Sequence, residues 1–334
     1  MFTVSLLLAA LPSAELAPSP RAAEVTAAEV RTAIERGLPY LEKSSAAWRS
    51  DRKCVTCHQV PFAIWALTEG KARGFKVDGT KLDDLTAWAF DFCATNENKN
   101  ERTGGFHLTS VFMILSQTGP ARADALKVYP LFETFFAKRQ KPDGSWREGR
   151  QIRIQGAQRE ADDADTMWTL LAIKRLEQLG DKLPAETRKG LTAERIKALT
   201  FLKDAKPGKR IDWLLLRVLI AKEYGTPARA KELLRELLAE QNHDGGWGYV
   251  RAGDSYAHTT GEVLYCLGLM GMGESDASVR KAWKYLVQSQ QCEGWWHCPT
   301  RETFSTKPDK VHDPSVHWGT AWATIGLMQT LPNK

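Results

Sequence analysis

Beyond its first dozen residues this chain has no apolar run approaching the roughly 18 residues that a membrane-spanning helix needs, which excludes a helical span in its body. It has no dense basic run and no motif of stacking aromatics either. Its 46 Lys and Arg are scattered among 40 Asp and Glu, leaving a net charge of +6, which argues against nucleic acid as a partner. Cysteine and histidine are sparse, at 6 and 7 in 334 residues, so a motif that concentrates three of them is hard to obtain by chance. What is abundant is apolar: 43% hydrophobic residues, enough for a large core in one big domain or two ordinary ones.

The concentrated motif is Cys54-Val55-Thr56-Cys57-His58. Two thiols one helical turn apart can each form a thioether to a haem vinyl group, and the histidine on that turn presents its imidazole to the iron. Cys54, Cys57 and His58 are therefore expected to bind a haem c, with His58 as proximal ligand. Half of a zinc site, or a structural disulfide between the two cysteines, are the alternatives. Residues 1–17 carry a short apolar run, Val4 to Leu11, followed by Pro12 and small residues, and read as a signal peptide. No Lys or Arg precedes that run and no clean cleavage site follows it, so a frayed helical N-terminus is the alternative. Because c-type haem is attached to reduced thiols after export, the expected location is periplasmic or secreted.

Internal repetition sets the expected fold. Gln140-Lys-Pro-Asp-Gly144-Ser-Trp146, Gln241-Asn-His-Asp-Gly245-Gly-Trp247 and Gln290-Gln-Cys-Glu-Gly294-Trp-Trp296 share one pattern, Gln-x3-Gly-x-Trp. Each follows an amphipathic run with apolar residues at three- and four-residue spacing: Leu131 to Arg139, Ala230 to Glu240 and Val279 to Ser289. Glycine permits the left-handed turn that ends such a helix, Asp143 or Asp244 can satisfy free amides there, and the Trp covers the junction. Motif spacings of 101 and 49 residues imply a period near 50 with a degenerate copy between the first pair, placed at Arg195 to Lys203, Gly208 and Trp213. Leu85 to Cys93 with Gly104-Gly105-Phe106 supplies another unit, and Val30 to Trp48 the first. Every turn is followed by a helix that is apolar nearly all round: Pro61 to Glu69, Phe106 to Leu115, Asp165 to Leu176, Asp212 to Ala221, Thr259 to Met270 and Gly319 to Leu331. Six hairpins of an amphipathic outer and an apolar inner helix are predicted, and inner helices of that kind need cover on all sides, which a closed double ring supplies.

These turns are the tail of the QW motif, and residues 26–332 resemble the α/α toroid of squalene-hopene cyclases and protein prenyltransferases. The resemblance implies an all-α (α/α)6 toroid in a single domain, with 18–25 as linker and a haem-attachment loop at 53–59. In the cyclases an Asp-x-Asp-Asp motif followed by Thr protonates a polyene at the start of an inner helix. The matching stretch here is Asp162-Asp163-Ala164-Asp165-Thr166. Ala164 occupies the middle place, which in that family is the proton donor, and this argues against classical polyene cyclisation. Asp163 and Asp165 remain the candidate acids. The prenyltransferase zinc set, an Asp and a Cys close together with a distant His, has no counterpart at the inner-helix starts.

Other residues carry separate expectations. His107, His258 and His317 stand two or three residues before a threonine at inner-helix starts, so they are candidate distal iron ligands, whereas Met113 reads as core. Glu262 and Arg217 sit inside otherwise apolar helices of consecutive hairpins and are expected to meet as a salt bridge, with Glu262 as a possible general acid. Cys292 and Cys298 are expected to form a disulfide, with a metal held by Cys292, His297 and Cys298 as the alternative; Cys93 and Cys266 read as buried thiols. The leading expectation is electron transfer or redox chemistry on a small apolar molecule, or with a redox partner protein. A haem-free terpenoid-cyclase-like or prenyltransferase-like enzyme, or a non-catalytic binding toroid, are the other two.

Overall fold

The computed structural model describes residues 24–55, 59–95, 105–146, 158–298 and 314–332. Among them are twelve α-helices: α1 (Ala27–Arg52), α2 (Val60–Ala72), α3 (Gly79–Thr95), α4 (Gly105–Leu115), α5 (Ala123–Arg139), α6 (Gln158–Glu177), α7 (Ala185–Lys203), α8 (Ile211–Tyr224), α9 (Pro227–Ala239), α10 (Ala257–Leu269), α11 (Ala277–Ser289) and α12 (Pro314–Thr330). The even-numbered helices pack in the closed order α2, α4, α6, α8, α10, α12 and back to α2, and the odd-numbered helices lie outside them. This is the expected all-α double ring. No described helix is long and apolar enough to cross a membrane.

Side-chain pattern sorts the helices into the two layers. In α11 burial is confined to one stripe, Val279, Ala282, Trp283 and Leu286, whereas in α10 every residue from Ala257 to Leu267 is buried. A stripe on one face suits a helix with one wet side, and burial all round suits one with neighbours on every side. Inner helices α10 and α12 approach closest, with Gly261 lying against the backbone of Trp322 and Gly326 against the Gly261 carbonyl. A methyl group at either glycine would meet main chain rather than a side chain that could move aside.

The QW turns are the staples of the outer ring. In each, the Gln side-chain amide donates to the carbonyl of the turn glycine and to a carbonyl of the next outer helix. Gln140 reaches Glu194 of α7 at 2.9 Å, Gln241 reaches Ser278 of α11 at 2.8 Å, and Gln290 reaches Ala33 of α1 at 2.9 Å, which closes the ring. The turn glycines, Gly144, Gly245 and Gly294, have φ of +91°, +94° and +91° and lie against backbone of that next helix. Both constraints exclude a side chain. The three Trp indoles donate to Phe136, Leu237 and Leu286, and their backbone N–H groups to Thr166, Thr260 and Thr320 at 3.0–3.1 Å. The recurrent inner-helix threonine is thus part of the staple.

The degenerate copy is built differently. Trp213 lies within α8 and donates its indole N–H to Asp163, while the turn before it is held by the Glu160 carboxylate, which accepts from Lys209 and Arg210 backbone N–H groups. Trp213 is therefore not the QW tryptophan of that unit. The expected Cys292–Cys298 disulfide is also absent: Cys292 is exposed, whereas Cys298 is buried against Gly319 of α12. The turn between them is closed by backbone hydrogen bonds, Gln291 N–H to the Trp295 carbonyl at 2.9 Å and Gly294 N–H to the Gln291 carbonyl at 2.9 Å. His297 is exposed, and no group of three or more His, Cys, Asp or Glu among the described residues is placed to hold a metal. Cys93, Cys266 and Met113 are buried in the core.

Candidate active site

The middle of the ring is filled by aromatic rings from opposite sides. Trp168 of α6 meets Trp322 of α12 at 5.7 Å between centroids, Phe62 lies 4.6 Å from Phe112 and 5.2 Å from Trp322, and Trp65 meets Tyr265 edge-on at 5.3 Å. Above this plug, at the N-terminal ends of α4, α6, α8, α10 and α12, a cavity of about 50 Å3 remains. Phe112, Trp168 and Trp318 form its aromatic walls and Ala164 adds a methyl group; Asp165, Arg210, Asp212, Tyr249, His258 and Glu262 bring the polar groups. A space of that size holds a small group, not a whole isoprenoid.

Its electrostatics follow from burial. Arg210 and Asp212 form a buried ion pair, with Nε to Oδ1 at 2.8 Å, and Asp212 also accepts from the Trp213 backbone N–H at 2.7 Å. Burial would depress the Arg210 guanidinium, but Asp212 together with Tyr249 and Asp165 outweighs it and keeps the group charged. Glu262 has no such cation to itself. Burial, and then the Asp212 carboxylate, push its carboxyl well above the usual range, so it is held protonated. One helical turn earlier, His258 is pushed down to about 3, by burial and then by Arg210, and is neutral. Its Nε2 lies 3.5 Å from Glu262 Oε1, a neutral acid beside a neutral base.

Four buried polar atoms of this cavity lack a hydrogen-bond partner: Glu262 Oε2, His258 Nε2, Tyr249 Oη and Trp318 Nε1. Buried polar atoms are nearly always paired, so a cluster of four around one space marks a place for a ligand. The His258 ring is held by Trp318, with centroids 4.0 Å apart.

The sequence candidates separate on this geometry. Asp165 and Glu262 line the cavity, and so does Ala164. Asp163 does not: its two oxygens accept from Arg159 at 2.8 Å and from the Trp213 indole at 3.0 Å, a buried pairing that joins α6 to α8. The expected Arg217–Glu262 salt bridge does not form. Arg217 turns outward, donating to the Leu202 carbonyl at the end of α7 at 3.2 Å and lying over the Trp213 ring. Among the three histidines only His258 reaches the cavity. His107 is bonded to Thr169 at 2.7 Å and stacked on Trp146, and His317 is bonded to Ser44 at 2.9 Å and to the Gln59 carbonyl at 2.8 Å. Of the pentapeptide, Cys54 is half-buried with its carbonyl accepting from the Trp48 indole at 3.0 Å; Cys57 and His58, like the leader 1–17, lie outside the described residues. Arg210, Asp212 and Tyr249 were not among the sequence candidates. The signal for Asp212 was available, since it opens an inner helix as His258 does.

Comparison with known proteins bears on the same architecture. The chain is an all-α double ring, and its C-terminal part is similar to the squalene-hopene cyclases. Its residues 211–333, running from α8 to the end of α12, match the squalene-hopene cyclase C-terminal domain family. A probable squalene–hopene cyclase of Sinorhizobium fredii (strain NBRC 101917 / NGR234) is 35% identical over 91 residues, a stretch that is 26% of this chain and only 13% of that protein. A type II terpene cyclase from Scytonema, solved with geranylgeranyl dihydroxybenzoate as substrate, shares the fold with a TM-score of 0.55 at 11% identity, over 92% of this chain and 99% of its own. A possible GH105 member from Klebsiella pneumoniae subsp. pneumoniae MGH 78578 is similar at a TM-score of 0.58 and 14% identity, over 97% and 99% of the two chains. At such identities the structural likeness speaks to the fold alone. The matched cyclase span contains Asp212, His258 and Glu262 but begins after Asp162–Asp165.

Proposed function

We propose that the chain is a terpenoid-cyclase-like enzyme in which Glu262 delivers a proton to a carbon–carbon double bond at the end of a small apolar molecule. One observation carries this reading: a buried carboxyl with an unpartnered oxygen, its pKa raised by burial, faces a cavity walled by the rings of Phe112, Trp168 and Trp318. A neutral acid in a dry site is a proton donor at pH 7. Aromatic faces stabilise the cation that an alkene becomes when it takes the proton. Ala164 leaves room where the cyclase resemblance would put the acid, and Glu262 supplies one from α10. The reactive end of the substrate fits the cavity, and the rest of a longer molecule extends towards the mouth, because the aromatic plug closes the other side. Once Glu262 has given up its proton, Arg210 and the N-terminal ends of the inner helices stabilise the carboxylate. The test is incubation with short prenyl alkenes and alcohols in D2O, followed by mass spectrometry. Product carrying one carbon-bound deuterium per turnover is expected; turnover without deuterium would overturn the reading.

A second reading rests on Cys54-Val55-Thr56-Cys57-His58. The donor set fits a c-type haem, and Cys54 is a half-buried thiol rather than half of a disulfide to another described cysteine. Cys54 and Cys57 would hold the group through thioethers and His58 through the iron, and bound haem would supply one-electron chemistry in a periplasmic or secreted protein. Expression in a host that matures c-type cytochromes should give an acetone-stable pyridine haemochrome that Cys57→Ser diminishes. Denatured protein free of haem would refute this second reading and leave the first intact.

A further inference from the structure

At the rim of the ring, on the far side of α12 from the Glu262 cavity, three residues from separate elements form a directed chain. Ser44 of α1 has its Oγ 2.9 Å from His317 Nδ1, and His317 Nε2 lies 2.8 Å from the Gln59 carbonyl oxygen, just before α2. A carbonyl can only accept, so the neutral imidazole carries its proton on Nε2 and donates it there. Nδ1 is then bare, and the bond to Ser44 must be donated by the serine hydroxyl. The Gln59 side-chain amide completes the set, donating to Ser44 Oγ at 3.3 Å, while its Oε1 is buried with no partner. A hydroxyl donating to a base that a third group orients is the arrangement that activates a serine nucleophile. The Ser44 side opens onto a recess of about 240 Å3 bounded by Trp48, Asp51, Arg52 and Gln59. The Trp48 indole that walls it is fixed by its bond to the Cys54 carbonyl.

We propose that Ser44 and His317 are a nucleophile–base pair that hydrolyses small acyl esters bound in this recess. Ser44 Oγ attacks the ester carbonyl carbon while its proton passes to His317 Nδ1. The tetrahedral adduct collapses, the bond to the alcohol oxygen breaks, and that oxygen takes the proton from Nδ1, leaving an O-acyl serine. Water then attacks the acyl carbon and gives a proton to Nδ1. Ser44 Oγ leaves, recovers that proton, and the carboxylic acid departs. The imidazolium formed in each half strengthens its bond to the Gln59 carbonyl, and the Gln59 amide, 3.3 Å from Ser44 Oγ, is a donor beside the attacking oxygen. Arg52 and Asp51 at the recess wall favour polar esters over long apolar ones.

The full chain is treated with a fluorophosphonate probe and the modified peptide is located by mass spectrometry, with 4-nitrophenyl acetate turnover measured in parallel. Modification of Ser44 in the wild-type protein is expected, together with loss of both signals in Ser44→Ala and a 10²- to 10⁴-fold slower labelling in His317→Gln, on the order of a general base's contribution. Modification at another serine, or none on folded protein, would overturn the assignment, and because the wild-type map decides it, misfolding of a variant cannot. A haem-free preparation serves, so the outcome is independent of both readings of function given above.

Discussion

Glu262→Gln should abolish deuterium incorporation almost completely, with turnover falling about 10³-fold, the middle of the range for a positioned general acid, while the fold survives. Glutamine keeps the shape of the protonated carboxyl, but it has no proton to give to carbon. Stability near neutrality should rise rather than fall, because the native carboxyl is held above its unfolded pKa and the glutamine has no ionised form to favour the unfolded chain. The wild-type pH profile has a definite sign. The active form is the acid, so turnover is full on the acid side and falls as pH rises through the raised Glu262 pKa, in contrast to a base-catalysed reaction. Asp165→Asn is the informative companion, since Asp165 lines the same cavity. If Asp165→Asn were the silent enzyme and Glu262→Gln kept activity within a few-fold of wild type, the acid would be on α6 and the assignment to α10 wrong.

The ring was legible in the sequence because its staples are local. A Gln, a Gly and a Trp within seven residues do three jobs that a backbone turn requires, and the Gln amide has to find a carbonyl on whichever helix comes next, as Gln290 does at Ala33. Layer assignment was legible for the same reason, since burial on one face or all faces is written in the spacing of apolar residues. The direction in which a single polar side chain leaves an inner helix is not. Glu262 and Arg217 belong to neighbouring inner helices, yet one faces the axis and the other faces α7. Hairpin order fixes which helices are neighbours but not their rotation. Asp163 and Asp165 show the same limit on one helix: two positions apart, they point to the α8 contact and to the cavity. Trp213 was misread for a related reason, because a Trp at roughly the right spacing is no substitute for the Gln that anchors the turn.

Stability should peak at mildly acidic pH, with its two limbs set by different buried groups. On the alkaline side the determinant outside the cavity is Glu194 of α7. It is buried, both of its carboxyl oxygens lack partners, and its pKa is pushed up to about 8, first by burial and then by Glu133 of α5; Lys197 opposes this only in part. A carboxyl raised in the native state stabilises fully below its unfolded value near 4.5, and that stabilisation is lost as pH rises towards 8. The loss is on the order of 3 kcal/mol by pH 7. Glu262 acts in the same direction. On the acid side the determinants are His107 and His258, both pushed down to about 3, chiefly by burial. Their lowered values have the opposite consequence: their stabilisation is complete above the unfolded value near 6.5 and is lost as pH falls towards 3, at about 2 kcal/mol each by pH 5. Urea unfolding from pH 3 to 9 should therefore give a domed curve. Glu194→Gln should flatten its alkaline limb and leave the acid limb in place, since the glutamine never has to ionise. His107→Gln should flatten the acid limb instead, because a neutral amide at that position can bond Thr169 without ever taking up a proton. An alkaline limb as steep in Glu194→Gln as in wild type would mean that Glu194 is ionised and paired at neutral pH, contrary to the two partnerless oxygens seen between α5 and α7.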